Sequence, residues 1–316
     1  QVIEELGYQP NLLARSLVNQ RSHTIAVVTS EVVYYVPSRI LTGIDEQAEE
    51  LGYSLLLTLV RDPTQVNVPR LLANLSARRV DGIIWAVHEV ADNRAWFAPE
   101  RLAKLPPITF LTMQERPGMP IVRLDNRAGA RLVVEHLAAQ GCRRIGHVSG
   151  PLDWWEARER VTGWRCTLQR LGLPNDDSLL VEGDWSATSG EQGMRTLLER
   201  NPDLDAVFAA NDLIAMGALQ AAHRLGRRIP EDVAVVGFDN TPEAPYFWPP
   251  LTSVEQHLSE IGRAVTSQLH KQIEARKQGV QPPTDGVVAP EPATVIQLTP
   301  TLVVRESSMR TPTAPL

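Results

Sequence analysis

The chain has 316 residues, 43% of them hydrophobic and 22% charged, with a formal net charge of −6. Such a length suits two lobes of roughly 150 residues, each able to bury a core, and the composition excludes a fibrous or disordered protein. The acidic balance excludes a broad nucleic-acid-binding face, which needs dense Lys and Arg against phosphates, so any DNA contact must be local. No apolar run approaches the roughly 20 residues that span a bilayer. Gln1 to Gly7 carries neither the basic nor the apolar region of a secretory signal, so a cytoplasmic home is expected and no membrane partner. Gln1 opens inside a helix-like pattern without an initiator Met, which reads as a chain lacking a preceding segment. Cys142 and Cys166 are the only cysteines; they are not spaced as metal ligands or as a disulfide framework and are expected to be packing residues.

In chain order, Ile25-Ala26-Val27-Val28 predicts a strand, followed by a helix-period segment through Ile40, Ile44 and Ala48 and a second strand over Ser54 to Leu59. Further strands are predicted at Val80 to Ile84, Ile108 to Leu111, Ile145 to Val148, Ala206 to Ala209 and Val233 to Gly237. Runs apolar at successive positions suit parallel strands covered on both faces, with the intervening helices as crossovers: a doubly wound α/β pattern. Gly52, Gly141, Gly172 and Gly226 each follow a periodic segment, where a left-handed residue ends a helix without a Cβ penalty. Residues 306–316 are rich in Ser, Thr and Pro and predict a disordered tail.

Asn11 to Leu17, preceded by Leu6-Gly7-Tyr8-Gln9-Pro10 and followed by Ser22-His23-Thr24-Ile25, resembles the end of the DNA-binding head and the hinge of LacI/GalR transcriptional regulators. Asp125 to Leu137, Gly150 to Trp164, Ala210 to Ala218 and Val236 to Thr252 continue the resemblance in family order, so it covers nearly the whole chain. It implies two doubly wound, parallel-sheet subdomains of the periplasmic-binding-protein type, joined by three crossovers. The expected division is a head remnant and hinge at 1–21, a first subdomain at 22–125 plus 256–285, a second at 126–255 plus 286–305, and the tail. It further implies a homodimeric repressor whose affinity for operator DNA is set by a small sugar or glycoside; a transport-type sugar-binding protein without DNA binding is the alternative.

A sugar presents hydroxyls around its edge and C–H groups on its faces, so its site needs bidentate acceptors, donors and a flat apolar surface. Asp239 and Asn211, each just past a strand, supply acceptors and a donor; Arg158 supplies a guanidinium fork and Trp185 a stacking face. The same residues also read as helix caps or turn formers, a surface ion-pair member and a core aromatic. All four fall on positions where the family pattern contacts its effector. Tyr34 and Tyr35 offer an aromatic wall from the first subdomain, and Trp154 replaces a residue that is often small and polar in the family, which would narrow the cleft. Asp125 and Gln256 either contact the effector or orient the crossovers. The resemblance assigns Ala14 to Leu17 to a short hinge helix capped by Asn11, with Leu17 wedging into the minor groove and Arg15 and Arg21 near phosphates. No metal site, cofactor or catalytic group is expected: there is no His-Glu-x-x-His, Gly-x-Ser-x-Gly or P-loop, and Gly146 to Gly150 only loosely approaches a nucleophile elbow.

Overall fold

The computed structural model describes residues 21–30, 32–91, 93–96, 102, 104–278 and 294–310. The chain divides into two compact units, one of residues 1–122 and 258–296, the other of 123–257 and 297–316. Its elements in order are β1 (Thr24–Thr29), α1 (Tyr35–Glu50), β2 (Ser54–Leu59), α2 (Val68–Ala77), β3 (Gly82–Ala86), β4 (Ile108–Leu111), β5 (Ile121–Leu124), α3 (Asn126–Ala139), β6 (Ile145–Ser149) and α4 (Trp155–Arg170). Beyond these come β7 (Leu180–Glu182), α5 (Ala187–Arg200), β8 (Ala206–Ala209), α6 (Asp212–Arg224), β9 (Ala234–Asp239), β10 (Thr252–Glu255), α7 (Leu258–Lys277), β11 (Val295–Leu298) and β12 (Thr301–Val303).

The first unit's sheet has the order β11-β5-β4-β3-β1-β2, and the second's β12-β10-β9-β8-β6-β7. Strands β1 to β5 pair in parallel, as do β6 to β10. The central strands β4, β6, β8 and β9 are buried along their whole length, as apolar runs covered by helices on both faces require. The edge strand β2 has only exposed and half-buried positions instead.

The expected left-handed glycines are found at Gly52, Gly141, Gly172 and Gly226, with φ between +67° and +87°. Behind Gly52 the amide of Tyr53 donates to Ala48 O at 2.8 Å and that of Gly52 to Glu49 O at 3.0 Å, closing the end of α1.

Three expectations need correction. The strands after residue 294 do not both join the second sheet: β11 lies beside β5 in the first, and β12 runs antiparallel on β10. Residues 306–310 are structured. Ser307 and Ser308 are buried, Ser307 Oγ donates to Val235 O at 2.6 Å, and Arg310 Nε donates to Pro230 O at 3.0 Å, so short polar side chains here satisfy strand-end backbone rather than water. Cys142 is buried as expected, its thiol pushed up to about 11 by burial, but Cys166 is exposed on the outer face of α4.

The hinge residues Asn11, Ala14, Arg15 and Leu17 lie outside the described residues. Arg21, expected near phosphates, is held by the first unit: Nε donates to Asp81 at 3.1 Å and Nη2 to the Tyr53 hydroxyl at 3.1 Å, while Ser22 N also donates to Asp81.

Helix pairs in both units approach so closely that only glycine fits. A Cβ on Gly217 of α6 would sit 1.8 Å from Ala187 O, and one on Gly190 of α5 would sit 2.1 Å from Ile214 O. In the first unit Gly43 and Gly262 do the same for α1 and α7, at 2.1 and 2.2 Å from Ser259 O and Ile40 O. Ala in a helix is ordinarily favoured over Gly by about 1 kcal/mol. Here the sign reverses, because the obstacle is backbone of a packed neighbour. Gly217→Ala is therefore expected to lower unfolding free energy by about 2 kcal/mol or more, read from the urea midpoint; an unchanged or raised midpoint contradicts the packing described.

Candidate functional site

The carboxyl ends of β6, β8, β9 and β10 lie side by side in the second unit, where open α/β sheets bind their ligands. Four polar or aromatic groups stand there: Gly150 with Trp154 beyond β6, Asn211 and Asp212 beyond β8, Asp239 closing β9, and Gln256 beyond β10.

The buried face of α4 includes Glu156, Ala157, Arg160, Gly163, Trp164 and Thr167, at helical spacing. Gly163 lets that face meet α3, since a Cβ there would come within 2.6 Å of Arg127 O. The approach delivers Arg160. Its Nε donates to Asn126 Oδ1 at 2.8 Å, its Nη1 donates to Ala210 O, and its guanidinium lies 3.8 Å from the centre of the Phe238 ring and 5.6 Å from that of Trp185. Burial lowers its proton affinity, opposed above all by Asp239 and then by Glu156 and Asp212.

Asp239 is buried and accepts a hydrogen bond from Gln256 Nε2. Burial pushes its carboxyl well above the usual range; Arg160 pulls it down and Asp212 adds to the rise. Its φ of +119° is strained for a residue with a Cβ. The next turn is fixed by Asn240, whose amide donates to Ser253 Oγ at 3.0 Å and whose side chain donates to Glu255 at 2.8 Å and accepts from Arg305 at 2.8 Å. Asp212 accepts from Ser253 Oγ at 2.5 Å and Thr241 N at 2.7 Å, and burial pushes its carboxyl up to about 6. A Cβ on Gly237 would stand 2.2 Å from its Oδ1, so position 237 must be bare for Asp212 to fit.

Trp185 is half-buried at φ +70°, with its carbonyl accepting from Asn211 Nδ2 at 3.1 Å. Its indole fills the space a side chain at Gly150 would need, 2.2 Å from the position of a Cβ. Trp154 meets it edge to face, ring centres 5.8 Å apart and planes at 66°.

Residues 134–308 match the family model for a periplasmic binding protein-like domain. The HTH-type transcriptional regulator CelR of Thermobifida fusca is 36% identical over 281 residues, 86% of this chain and 81% of the relative. Among solved structures, a lac repressor dimer bound to operator and the anti-inducer ONPF superposes with a TM-score of 0.82 at 30% identity, covering 98% of this chain and 88% of that one. A CelR–cellobiose complex gives 0.75 at 33% identity, covering 96% and 88%. The chain belongs to the LacI/GalR family of transcriptional regulators.

Within that family framework the structure brings together Asp239, Gln256, Trp185, Trp154 and Asn211, and it corrects one residue. Arg158 is exposed and turns back, its Nη1 donating to Leu152 O at 3.1 Å and Asp153 O at 2.7 Å; Arg160 occupies the buried position instead. The signal was present in the sequence, for Arg160 and not Arg158 shares the helical stripe of Glu156, Gly163, Trp164 and Thr167. Asn211 does cap α6, accepting from Ile214 N at 2.7 Å, and one amide hydrogen remains beyond the bond to Trp185. Asp125 caps α3 through Ala128 N at 2.8 Å and accepts from Gln297 at 2.8 Å, beside the crossover. Tyr34 and Tyr35 stand at the start of α1 in the first unit, Tyr34 half-exposed. Ser149 Oγ donates to Gly150 O at 2.8 Å, while His147 is buried, stacked on Phe208 and held neutral with its pKa lowered to about 3 by burial. The nucleophile-elbow pattern therefore contains no Ser–His pair.

Asp212 gives a pH test. Its carboxyl binds a proton more readily folded than unfolded, so it withdraws stability as pH rises from about 4 through about 6. The stability of Asp212→Asn relative to wild type should thus increase over that window. Urea unfolding of both proteins from pH 4 to 7 measures it; a pH-independent difference contradicts the assignment.

Proposed function

We propose that this chain is a transcriptional repressor whose operator affinity is set by a sugar or glycoside, with the Asp239, Arg160 and Gln256 array as the hydroxyl-binding element of its second unit. The array carries the reading. A carboxylate accepts from two hydroxyls at once, and a guanidinium already fixed by Asn126 and Ala210 O offers its remaining N–H groups without reordering. Trp185 supplies a C–H stacking face beside them. Asn211 and Asp125 serve chiefly to position loops.

The relatives support the rest. The lac repressor of the solved complex is a dimer on operator DNA with an anti-inducer, and CelR is complexed with cellobiose. By the same logic this chain acts as a homodimer in the cytoplasm, turns over no substrate, and contacts operator DNA through Asn11, Ala14, Arg15 and Leu17 together with a helix-turn-helix. Among the described residues no helix is long and apolar enough to cross a membrane, and no group of His, Cys, Asp and Glu is placed to hold a metal ion.

Thermal unfolding against mono- and disaccharides tests the assignment. A bound sugar raises the midpoint by linkage. Asp239→Asn should weaken it about 10- to 100-fold, as expected for hydrogen bonds to a charged group, whereas Arg158→Ala should change affinity less than about threefold. Loss of binding in Arg158→Ala with none in Asp239→Asn would sink the array as the site.

A further inference from the structure

The chain enters the first unit through a set of bonds made before β1 begins. Asp81, at the foot of β3, has a side chain only 7% exposed and accepts from two consecutive residues: Arg21 Nε at 3.1 Å, Ser22 N at 3.1 Å and Ser22 Oγ at 3.3 Å. Ser22 Oγ accepts in turn from Thr24 N at 3.2 Å. To either side, Asp81 N donates to Thr24 O at 2.8 Å and Ser54 N to His23 O at 2.7 Å. Between these bonds His23 is turned to φ +49°, a left-handed conformation that persists for a residue with a Cβ where its surroundings over-determine it.

The Arg21 guanidinium reaches further. Its Nη2 donates to the Tyr53 hydroxyl at 3.1 Å and lies 3.5 Å from Glu274 Oε1 on α7. Burial raises the Tyr53 pKa, so the phenol keeps its proton and, having accepted from Arg21, has it to give to His270 Nδ1, 3.0 Å away on the same helix. The start of β3, the turn between α1 and β2 and the last turns of α7 thus close on one side chain.

The same arrangement takes Arg21 away from phosphates. Arg21 and Lys277 stand against Asp81 and Glu274, with Lys277 Nζ 2.6 Å from Glu274, so these four groups carry no net charge to draw a polyanion. Drawing Arg21 out to DNA would leave the buried Asp81 carboxylate without its cation, which is costly. A short hinge helix is marginal alone, and a chain whose exit is already fixed leaves less ordering for DNA binding to supply.

We propose that Arg21 is a positioning residue for operator binding: its clasp by Asp81, Tyr53 and Glu274 fixes where the hinge leaves the first unit, and it makes no phosphate contact. This rests on the DNA-binding reading above, in which residues 11–17 supply the hinge's contacts.

Fluorescence anisotropy tests it, with full-length wild type, Arg21→Ala, Arg21→Lys and Asp81→Asn on the duplex that wild type selects from a random-sequence pool, between about 50 and 200 mM salt. Arg21→Ala should weaken binding about tenfold, as for loss of hydrogen bonds to a charged group, with the slope of log affinity against log salt unchanged. Loss of a phosphate contact would instead reduce that slope by about 0.9 per arginine. Arg21→Lys should recover little, because an ammonium cannot donate as a fork toward Asp81 and Tyr53. Asp81→Asn has opposite consequences under the two roles: it breaks the clasp and so should weaken binding, whereas an arginine that contacts phosphate would be freed to bind as tightly or more so. A cooperative thermal transition well above the assay temperature checks that each variant folds, and Arg21→Ala, at the rim of the cluster, carries the test if Asp81→Asn does not. A reduced salt slope in Arg21→Ala, tighter binding by Asp81→Asn, or unchanged affinity in Arg21→Ala overturns the proposal and leaves the DNA reading standing. If wild type selects no duplex, the DNA reading fails and the role of the clasp fails with it.

Discussion

The second unit is organised around a guanidinium taken out of water. A buried charge is tolerated only if its donors are met and an opposite charge stands near, since the unrelieved penalty is several kcal/mol. Arg160 meets that condition with groups from three places: Asn126 at the start of α3, the Ala210 carbonyl at the end of β8, and the face of Phe238 with the Asp239 charge at the end of β9. Each partner constrains an element. The helix α4 must pack on α3 closely enough to require Gly163, and β9 must run on past the end of β8 to carry Phe238 and Asp239 to the guanidinium.

These constraints leave the site ready before any ligand arrives. Two residues of the array's surroundings, Asp239 and Trp185, have positive φ despite carrying side chains, and two neighbours, Gly237 and Gly150, carry none where a Cβ would collide with Asp212 or Trp185. Backbone strain of order 1–3 kcal/mol per residue persists only where surrounding contacts over-determine it. Here those contacts are visible: Gln256 on Asp239, Asn240 locked by Ser253, Glu255 and Arg305, and Asn211 on the Trp185 carbonyl. Hydroxyl recognition gains from such rigidity, because little ordering is left for binding to supply.

Much of this was legible in the sequence because it rests on local pattern. Successive apolar residues identified the buried parallel strands, glycines after periodic segments marked the helix ends, and Asp239 stands out as a polar residue directly behind a strand. Arg158 and Arg160 in Glu156-Ala157-Arg158-Glu159-Arg160 differ only in which way the helix turns them, and that is settled by the stripe running on to Gly163 and Trp164. Ser307 and Ser308 read as tail because their burial depends on a strand, β9, seventy residues earlier in the chain. The edge-to-face contact of Trp154 with Trp185 is likewise a long-range pairing that spacing does not reveal.

The central claim is that the buried Arg160 and Asp239 exist to receive hydroxyls rather than only to neutralise one another. A crystal structure of the chain with the tightest-binding sugar examines it directly. The account predicts two adjacent sugar hydroxyls within about 2.6–3.2 Å of the Asp239 carboxylate, with Arg160 donating to one of them. A sugar bound elsewhere, leaving Asp239 in contact only with Gln256 and Arg160, would contradict it.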